Sequence, residues 1–207
     1  MTTLQWLFDA KIIAILRGCD PAHTPDIAKA LAAGGIRALE ITLNSPDALE
    51  TIKTLNKQIG EKVLIGAGTV LDDKEAASAI KAGAKFIISP TLDAHTILTT
   101  REMGAVSIPG AFTATEILQA YRHGADIVKV FPASVGPQYF KDLRGPLPHI
   151  PLMPTGGVGL DNITEFKKAG AVTFGIGSAL VDGKKEVTPE YLQYLETTAA
   201  QFVTAIK

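Results

Sequence analysis

The chain has 207 residues, of which 46% are hydrophobic, and a formal net charge of −1. This length suits one domain, residues 1–207, and the balanced charge excludes the basic surface of a nucleic-acid-binding or membrane-surface protein. Apolar runs stay below the roughly 18 residues of a membrane span, and the single Cys19 cannot form an internal disulfide. We therefore expect a soluble cytoplasmic protein.

Eight short apolar segments recur along the chain, and helical patterning follows each of them. β-Branched and aromatic residues dominate these segments, which is typical of strands that are buried on both faces. The predicted strands lie near residues 12–17, 38–43, 64–70, 86–90, 106–111, 127–132, 151–155 and 173–177. Their regular spacing predicts alternating strands and helices without an internal domain boundary.

Glycine marks the junction between a predicted helix and the next strand. A glycine just past a helix adopts the left-handed conformation without steric cost and thereby ends the helix. Such junctions occur at Gly34-Gly35, Gly83, Gly104, Gly124 and Gly170. Helix starts are predicted from capping residues at Asp72 with Glu75, Thr113 with Glu116, Ser45 with Pro46, and Thr188 with Pro189.

Eight consecutive strand-and-helix units favour a compact (β/α)8 TIM barrel, an α/β fold, with short connecting loops. The alternative is a doubly wound parallel sheet, which usually has a glycine-rich turn after its first strand. Residues 17–20 do not form such a turn. Gly66 and Gly68 form only part of a dinucleotide-binding motif, because its third glycine is absent. We therefore predict the barrel.

Three of the predicted strands each contain one charged residue, namely Arg17, Glu40 and Lys129. Burial of an amine lowers its pKa, so a buried Lys129 becomes able to act as a nucleophile. Strand alternation directs all three side chains toward the interior of a barrel. Thr69 and Pro90 stand near the carboxyl ends of their strands, where barrel active sites are built. The alternative is a structural ion pair between Glu40 and Lys129, with Arg17 as a third member.

Glycine turns follow the last two predicted strands. One contains Thr155, Gly156 and Gly157, and the other contains Gly177 and Ser178. Barrel enzymes commonly bind phosphate with these two loops, whose glycine N–H groups approach the oxygens closely. We expect a phosphate site, the alternative being ordinary tight turns. Neither turn contains a lysine or arginine, so the backbone is expected to compensate the charge. The four histidines lack metal-ligand spacing, so no zinc site is predicted.

A desolvated lysine, a nearby carboxylate and a cation for a substrate carboxylate predict Schiff-base chemistry. In this hypothesis Lys129 attacks the keto carbon of a 2-oxo acid, and Arg17 and Thr69 hold the carboxylate of that acid. The imine withdraws electrons, so a carbon–carbon bond breaks and leaves an enamine. Glu40 transfers the protons, and a phosphate at the far end of the substrate binds at the glycine turns.

These residues stand in motifs that resemble one known family along essentially the whole chain. The motifs are Ala14-Ile15-Leu16-Arg17-Gly18, Glu40-Ile41-Thr42, Gly66-Ala67-Gly68-Thr69-Val70, Ile88-Ser89-Pro90, Ile108-Pro109-Gly110, Lys129-Val130-Phe131-Pro132, Gly136-Pro137-Gln138 and Pro154-Thr155-Gly156-Gly157-Val158. By this resemblance the sequence is identified as a member of the bacterial 2-keto-3-deoxy-6-phosphogluconate aldolases, with their 4-hydroxy-2-oxoglutarate-cleaving and phosphogalactonate-cleaving relatives.

The resemblance implies a trimeric class I aldolase that has a (β/α)8 barrel, needs no cofactor or metal, and releases pyruvate and glyceraldehyde 3-phosphate. It implies that Lys129 forms the Schiff base and that Glu40 is the general acid and base. The substrate-binding residues that it implies are Arg17 and Thr69 for the pyruvate carboxylate, Pro90 and Phe131 as walls, and Thr155, Gly156, Gly157, Gly177 and Ser178 toward the phosphate.

One position departs from the pattern of the gluconate-cleaving members. Many of them have an arginine where this chain has Asn44, and Asn44-Ser45-Pro46 resembles the phosphogalactonate-cleaving enzymes. We expect cleavage of 2-keto-3-deoxy-6-phosphogluconate and also of 4-hydroxy-2-oxoglutarate, with the phosphogalactonate as the alternative substrate. Two rival functions stay open for such a barrel: a phosphosugar isomerase or epimerase with Glu40 as base, and a phosphosugar-binding protein without catalytic activity.

Overall fold

The computed structural model describes all 207 residues, and strands alternate with helices after an N-terminal helix. The strands are β1 Ile12–Leu16, β2 Ala38–Thr42, β3 Leu64–Gly68, β4 Phe86–Ile88, β5 Val106–Ile108, β6 Gly110–Ala111, β7 Val128–Val130, β8 Leu152–Pro154 and β9 Phe174–Ile176. The helices are α1 Thr3–Ala10, α2 Thr24–Ala33, α3 Ala48–Ile59, α4 Asp73–Lys81, α5 Ala94–Glu102, α6 Ala114–Arg122, α7 Pro137–Arg144, α8 Ile163–Lys168 and α9 Pro189–Ala205, with a 3-10 turn at Ala133–Val135.

All strand pairs are parallel, which confirms the predicted α/β organisation. One sheet has six strands in the order β5-β4-β3-β2-β1-β9, and a second sheet has three in the order β6-β7-β8. The predicted fifth strand is divided at Pro109 into β5, which pairs with β4, and β6, which pairs with β7. Because proline has no N–H group for a strand ladder, it interrupts the strand. The chain therefore has nine strand segments rather than eight.

Two clusters of buried apolar side chains lie on opposite faces of the strands. Ile12 and Ala14 of β1 belong to the larger cluster, which includes residues of the helices, whereas Ile13 belongs to the smaller one. The smaller cluster combines both sheets with α1 and contains Leu7, Ile13, Ala38, Leu64, Phe86, Ile88, Val106, Ile108, Ile127 and Met153. The two sheets thus face each other across one apolar interior, and we call this side of the strands the inner face.

The two sheets also meet along a second edge. Thr155 and Gly175 form an isolated parallel bridge between the ends of β8 and β9. Nearby, the Val172 N–H donates to the Leu152 carbonyl at 3.0 Å. Since the pairing is parallel within and between the sheets, the carboxyl ends of all strands open toward the same side of the molecule.

The helix ends follow the glycine and capping signals of the sequence. Thr113 and Glu116 form a capping box at the start of α6, and Thr188 caps α9. Each predicted glycine junction contains a residue with positive φ: Gly35, Gly83, Gly104, Gly124 and Gly170. None of the helices combines the length and apolar character that a bilayer span requires.

One predicted helix start is wrong. Ser45 does not cap a helix, because α3 begins only at Ala48. The Ser45 Oγ instead accepts the Gly18 N–H at 2.8 Å and lies 2.8 Å from the Thr42 Oγ1. Ser45 therefore connects the end of β2 to the chain just beyond β1, a tertiary contact that local sequence signals do not reveal.

Candidate active site

A cavity of about 930 Å³ lies at the carboxyl ends of the strands. Side chains and glycines that follow β1, β3, β4, β7, β8 and β9 line this cavity. Every candidate residue except Glu40 is among them: Arg17, Thr69, Pro90, Lys129, Phe131, Thr155, Gly156, Gly157, Gly177 and Ser178. Residues that are far apart in the sequence thus share one concave surface.

Lys129 lies on the inner face of β7, two positions after Ile127. The residue is only 5% exposed, and its Nζ lies 5.0 Å from the centroid of the Phe131 ring. Burial lowers the pKa of the Lys129 amine; the Glu40 carboxyl opposes this effect, and the Arg17 charge lowers the pKa further. The amine is thereby shifted toward its neutral, nucleophilic form.

Glu40 lies on β2 and is 1% exposed. Burial raises the pKa of its carboxyl group, against the opposing effects of Lys129 and Arg17. Its Oε2 atom has no hydrogen-bond partner within the chain. A side chain at Gly68 on β3 would collide with this carboxyl group, so the glycine provides the space that Glu40 occupies. A buried carboxyl group with an unused oxygen is suited to general acid–base catalysis.

Lys129 and Glu40 do not form an ion pair. The ion pairs within 4.0 Å are three exposed pairs inside helices: Asp26 with Lys29, Glu50 with Lys53, and Glu165 with Lys168. The geometry therefore does not support a structural ion pair between strands β2 and β7. The Lys129 amine and the Glu40 carboxyl oxygens therefore lie more than 4.0 Å apart, beyond a direct ion pair.

Arg17 directly follows β1, and its guanidinium group donates hydrogen bonds to two neutral side chains. Its Nη1 donates to the Asn44 Oδ1 at 3.0 Å, and its Nη2 donates to the Thr69 Oγ1 at 3.1 Å. Thr69, the first residue after β3, has a left-handed backbone with φ of 56°. No carboxylate of the chain neutralises the guanidinium group. A fixed arginine with an uncompensated charge is suited to binding a carboxylate.

Two glycine turns form the cavity wall beyond β8 and β9. Gly156 and Gly157 have left-handed backbones, with φ of 78° and 86°. After β9, the Val181 N–H donates to the Gly177 carbonyl at 3.0 Å and closes a single helical turn. The N–H groups of Gly156, Gly157 and Ser178 have no acceptor within the chain. Free N–H groups around a cavity form the kind of concave site that binds anions.

Thr155 connects β8 to the first glycine turn. It is 5% exposed and lines the cavity, and its Oγ1 atom has no hydrogen-bond partner. A side chain at Gly175 on β9 would collide with this hydroxyl group. Because buried hydroxyl groups are normally hydrogen-bonded, this one indicates a ligand as its missing partner.

The structure adds residues to the site that the sequence patterns did not assign to it. Both Asp182 and Lys184 line the cavity from the loop after β9. Lys184 places a cation in the same cavity wall as the glycine turns, which themselves contain no lysine or arginine. No motif marks it, because its position depends on how the loop folds over the cavity. No group of three or more histidine, cysteine or acidic side chains is placed to hold a metal ion.

The chain matches the family model described as KDPG and KHG aldolase over residues 5–195. It is 35% identical to the 2-dehydro-3-deoxy-6-phosphogalactonate aldolase of Escherichia coli K12, over 99% of this chain and 97% of that relative. It is 40% identical to the 2-dehydro-3-deoxy-phosphogluconate aldolase of Pseudomonas aeruginosa, over 76% of this chain and 72% of that relative.

The fold also has counterparts among solved structures. One is a KDPG aldolase from Legionella pneumophila with pyruvate captured at low pH as a covalent carbinolamine intermediate. It covers 96% of this chain and 97% of its own length, with a TM-score of 0.87 and 27% identity. Family model, relatives and fold agree along nearly the whole length, and the chain belongs to the KDPG and KHG aldolase family.

Proposed function

We propose that this protein is a class I aldolase that reversibly cleaves 2-keto-3-deoxy-6-phosphogluconate to pyruvate and D-glyceraldehyde 3-phosphate. The observation that carries the proposal is the buried amine of Lys129, which lines a cavity with Arg17 and has no carboxylate partner within 4.0 Å. The name of the Pseudomonas relative supports this substrate. The carbinolamine of the Legionella enzyme supports covalent attachment of pyruvate.

The first half of the reaction forms an imine. Neutral Lys129 Nζ attacks C2 of the substrate and gives a carbinolamine, while Arg17 and Thr69 hold the C1 carboxylate. Glu40 donates a proton to the C2 hydroxyl group, which leaves as water, and the protonated imine remains. The raised pKa of Glu40 supports this role, because it keeps more of the carboxyl group protonated.

The second half breaks the carbon–carbon bond. Removal of the proton from the C4 hydroxyl group cleaves the C3–C4 bond, whose electron pair moves into the imine and forms an enamine. C4 leaves as the aldehyde carbon of glyceraldehyde 3-phosphate. Protonation at C3 and hydrolysis of the imine then release pyruvate and restore Lys129. We propose that Glu40 acts through a water, since no oxygen of it lies within 4.0 Å of the amine.

The rest of the cavity receives the remainder of the substrate. Pro90 and Phe131 serve as its walls, and the buried hydroxyl group of Thr155 hydrogen-bonds a substrate hydroxyl. The free N–H groups of Gly156, Gly157 and Ser178 bind the phosphate, and Gly177 begins the turn that presents Ser178. The same chemistry applied to 4-hydroxy-2-oxoglutarate, which has no phosphate, yields pyruvate and glyoxylate.

The phosphogalactonate epimer at C4 is the second candidate substrate. Asn44 favours this epimer. It is a neutral hydrogen-bond acceptor for Arg17, whereas many gluconate-cleaving members of the family have a second arginine at this position. The phosphogalactonate aldolase of Escherichia coli is similar over 99% of this chain. Parallel cleavage assays with the two epimers, coupled to pyruvate detection, decide between them by the ratio of the two kcat/KM values.

We also infer that the two sheets close into one (β/α)8 barrel, a single domain of residues 1–207. The shared inner cluster and the bridge between Thr155 and Gly175 support this closure. By its resemblance to the family, we propose that the protein acts in the cytoplasm as a homotrimer without a cofactor. Light scattering tests the assembly, which should have three times the chain mass of 21.9 kDa.

Borohydride reduction in the presence of pyruvate tests the proposed chemistry. We expect a stable adduct on the peptide that contains Lys129, because the imine is the reducible species. Lys129→Met should form no adduct, while Lys53→Met, which changes an exposed helix lysine, should react like the wild type. Absence of an adduct in a folded protein that binds pyruvate would favour an isomerase or a phosphosugar-binding protein.

A further inference from the structure

The loop after β9 forms one rim of the cavity. We define residues 181–184 as the rim loop, and all four of its residues line the cavity. The loop directly continues the single helical turn that begins at Gly177. It therefore stands next to the N–H groups that are proposed to bind phosphate.

Two contacts hold the rim loop in place. The Tyr191 hydroxyl group of α9 accepts the Asp182 N–H at 2.9 Å and donates to the Asp182 carbonyl at 3.0 Å. Gly183 packs against the chain after β1 so closely that any side chain there would collide with the Arg17 carbonyl. The rim loop is thus fixed to α9 on one side and to β1 on the other.

Lys184 is the cation that the rim loop brings to the cavity. The other positively charged side chains of the cavity wall are Arg17 and Lys129, which are assigned to the pyruvate end of the substrate. The Lys184 ammonium group forms no ion pair within the chain. Asp182, the acidic residue of the loop, turns its Oδ1 toward the backbone and accepts the Lys184 N–H at 3.0 Å.

We propose that Lys184 determines the preference of the enzyme for phosphorylated substrates by binding the phosphate group. This inference depends on the proposed aldolase function. An ammonium group is a suitable partner for phosphate as a mobile point charge, and here it supplements N–H donors that carry no net charge. Because the phosphate takes no part in bond breaking, its contact with Lys184 stabilises the bound substrate and the transition state equally. The effect of Lys184 therefore falls on KM.

Steady-state kinetics of Lys184→Ala on two substrates test this proposal. With 2-keto-3-deoxy-6-phosphogluconate we expect kcat/KM to fall about tenfold through a higher KM, as for the loss of one charge-assisted contact. With 4-hydroxy-2-oxoglutarate, which lacks the phosphate, the change should stay below about twofold. Lys184→Arg should restore most of the preference, and Lys53→Ala should match the wild type on both substrates.

A second measurement uses inorganic phosphate as the probe. Phosphate should inhibit cleavage of 2-keto-3-deoxy-6-phosphogluconate competitively, because both bind at the same site, and about tenfold more should be needed with Lys184→Ala. Equal losses on both substrates, or unchanged inhibition by phosphate, would overturn the proposal. Borohydride trapping with pyruvate separates this result from failure of the aldolase function, because Lys184→Ala should still form the adduct on Lys129.

Discussion

Asn44 and Thr69 accept hydrogen bonds from the two terminal nitrogens of Arg17, at 3.0 and 3.1 Å. The guanidinium group therefore has a defined orientation before any substrate binds, which reduces the entropy cost of holding a carboxylate. An arginine at position 44 would bring a second charge to the site but no acceptor for Arg17. A single neutral amide thus changes both the charge and the geometry of the proposed carboxylate site.

Replacement of this amide tests its role as a positioning group. In Asn44→Ala we expect KM for the keto acid to rise about fivefold, because Arg17 loses one of two acceptors and about 1 kcal/mol of binding. The kcat value should change little, since Lys129 and Glu40 remain in place. Asn56→Ala, which removes an amide on α3, serves as the control. A large fall in kcat without a change in KM would contradict the positioning role.

The glycines of β3 show how one strand makes room for its neighbours. Glycine inside a strand is normally unfavourable, because it packs no side chain and loses more entropy on folding. A side chain at Gly66 would enter the ring of Phe86, and one at Gly68 would enter the carboxyl group of Glu40. The incomplete dinucleotide-binding pattern in this strand therefore has another cause: β3 must be thin where it passes the inner cluster and the buried carboxyl group of Glu40.

Gly68→Ala tests this packing between neighbouring strands. We expect kcat to fall at least about a hundredfold, because the added methyl group displaces Glu40 from the reacting atoms. Overpacking should also lower the free energy of unfolding by about 1–3 kcal/mol. Gly145→Ala is a matched control, since its φ is −58° and an added methyl group would lie 3.5 Å from the nearest atom, the Asp142 carbonyl oxygen. Wild-type activity in Gly68→Ala would contradict the argument.

The molecule as a whole holds its two proposed catalytic groups, Lys129 and Glu40, at a cost in stability. Lys129 and Glu40 sit on the inner face, above an apolar cluster that joins the two sheets. Neither side chain has an ion-pair partner. Burial raises the pKa of Glu40 and lowers the pKa of Lys129, and both shifts favour the neutral form of the group. Removal of such a group generally raises stability and abolishes function. The fold tolerates the cost because the rest of the interior is apolar and well packed.

Glu40→Gln tests this cost through its pH dependence. Burial raises the pKa of Glu40 in the folded protein above its unfolded value of about 4.3. The folded protein therefore has its full stability from this group below about pH 4.3, where the carboxyl is protonated, and loses it as the pH rises through the folded pKa. Glutamine has no such loss. We therefore expect Glu40→Gln to have a free energy of unfolding about 1 kcal/mol higher than the wild type at pH 8, which corresponds to a melting temperature about 2–4 °C higher. The difference should be smaller at pH 4.

The control for this comparison is Glu50→Gln, an exposed glutamate on α3. Its melting temperature should stay close to that of the wild type at both pH values, as expected for surface ion pairs. A lower melting temperature of Glu40→Gln at pH 8 would show that the carboxylate is stabilised in the folded protein. Activity of Glu40→Gln should be lost at both pH values.

Local sequence signals were enough to predict the class of the fold and most of the residues that the structure brings together in one cavity. Strand patterning and glycine junctions located the strands and the helix ends, because each depends on a few neighbouring residues. Arg17, Glu40 and Lys129 were detectable because a charge in an apolar strand is unusual. The glycine turns were detectable by their place after the last strands, and the motifs as a set indicated the family.

Contacts between distant segments settle how these pieces meet. The pairing of β5 and β6 in two different sheets, the contact of Ser45 with Gly18 and the fold of the rim loop each depend on segments that are far apart in sequence. The sequence marks Asn44 only as a departure from a family pattern, and the structure shows its contact: the Arg17 Nη1 donates to the Asn44 Oδ1 at 3.0 Å. Nothing in the sequence distinguishes Lys184 from the other exposed lysines, and only the folded rim loop places it at the cavity. Long-range packing sets such positions, and no local pattern encodes them.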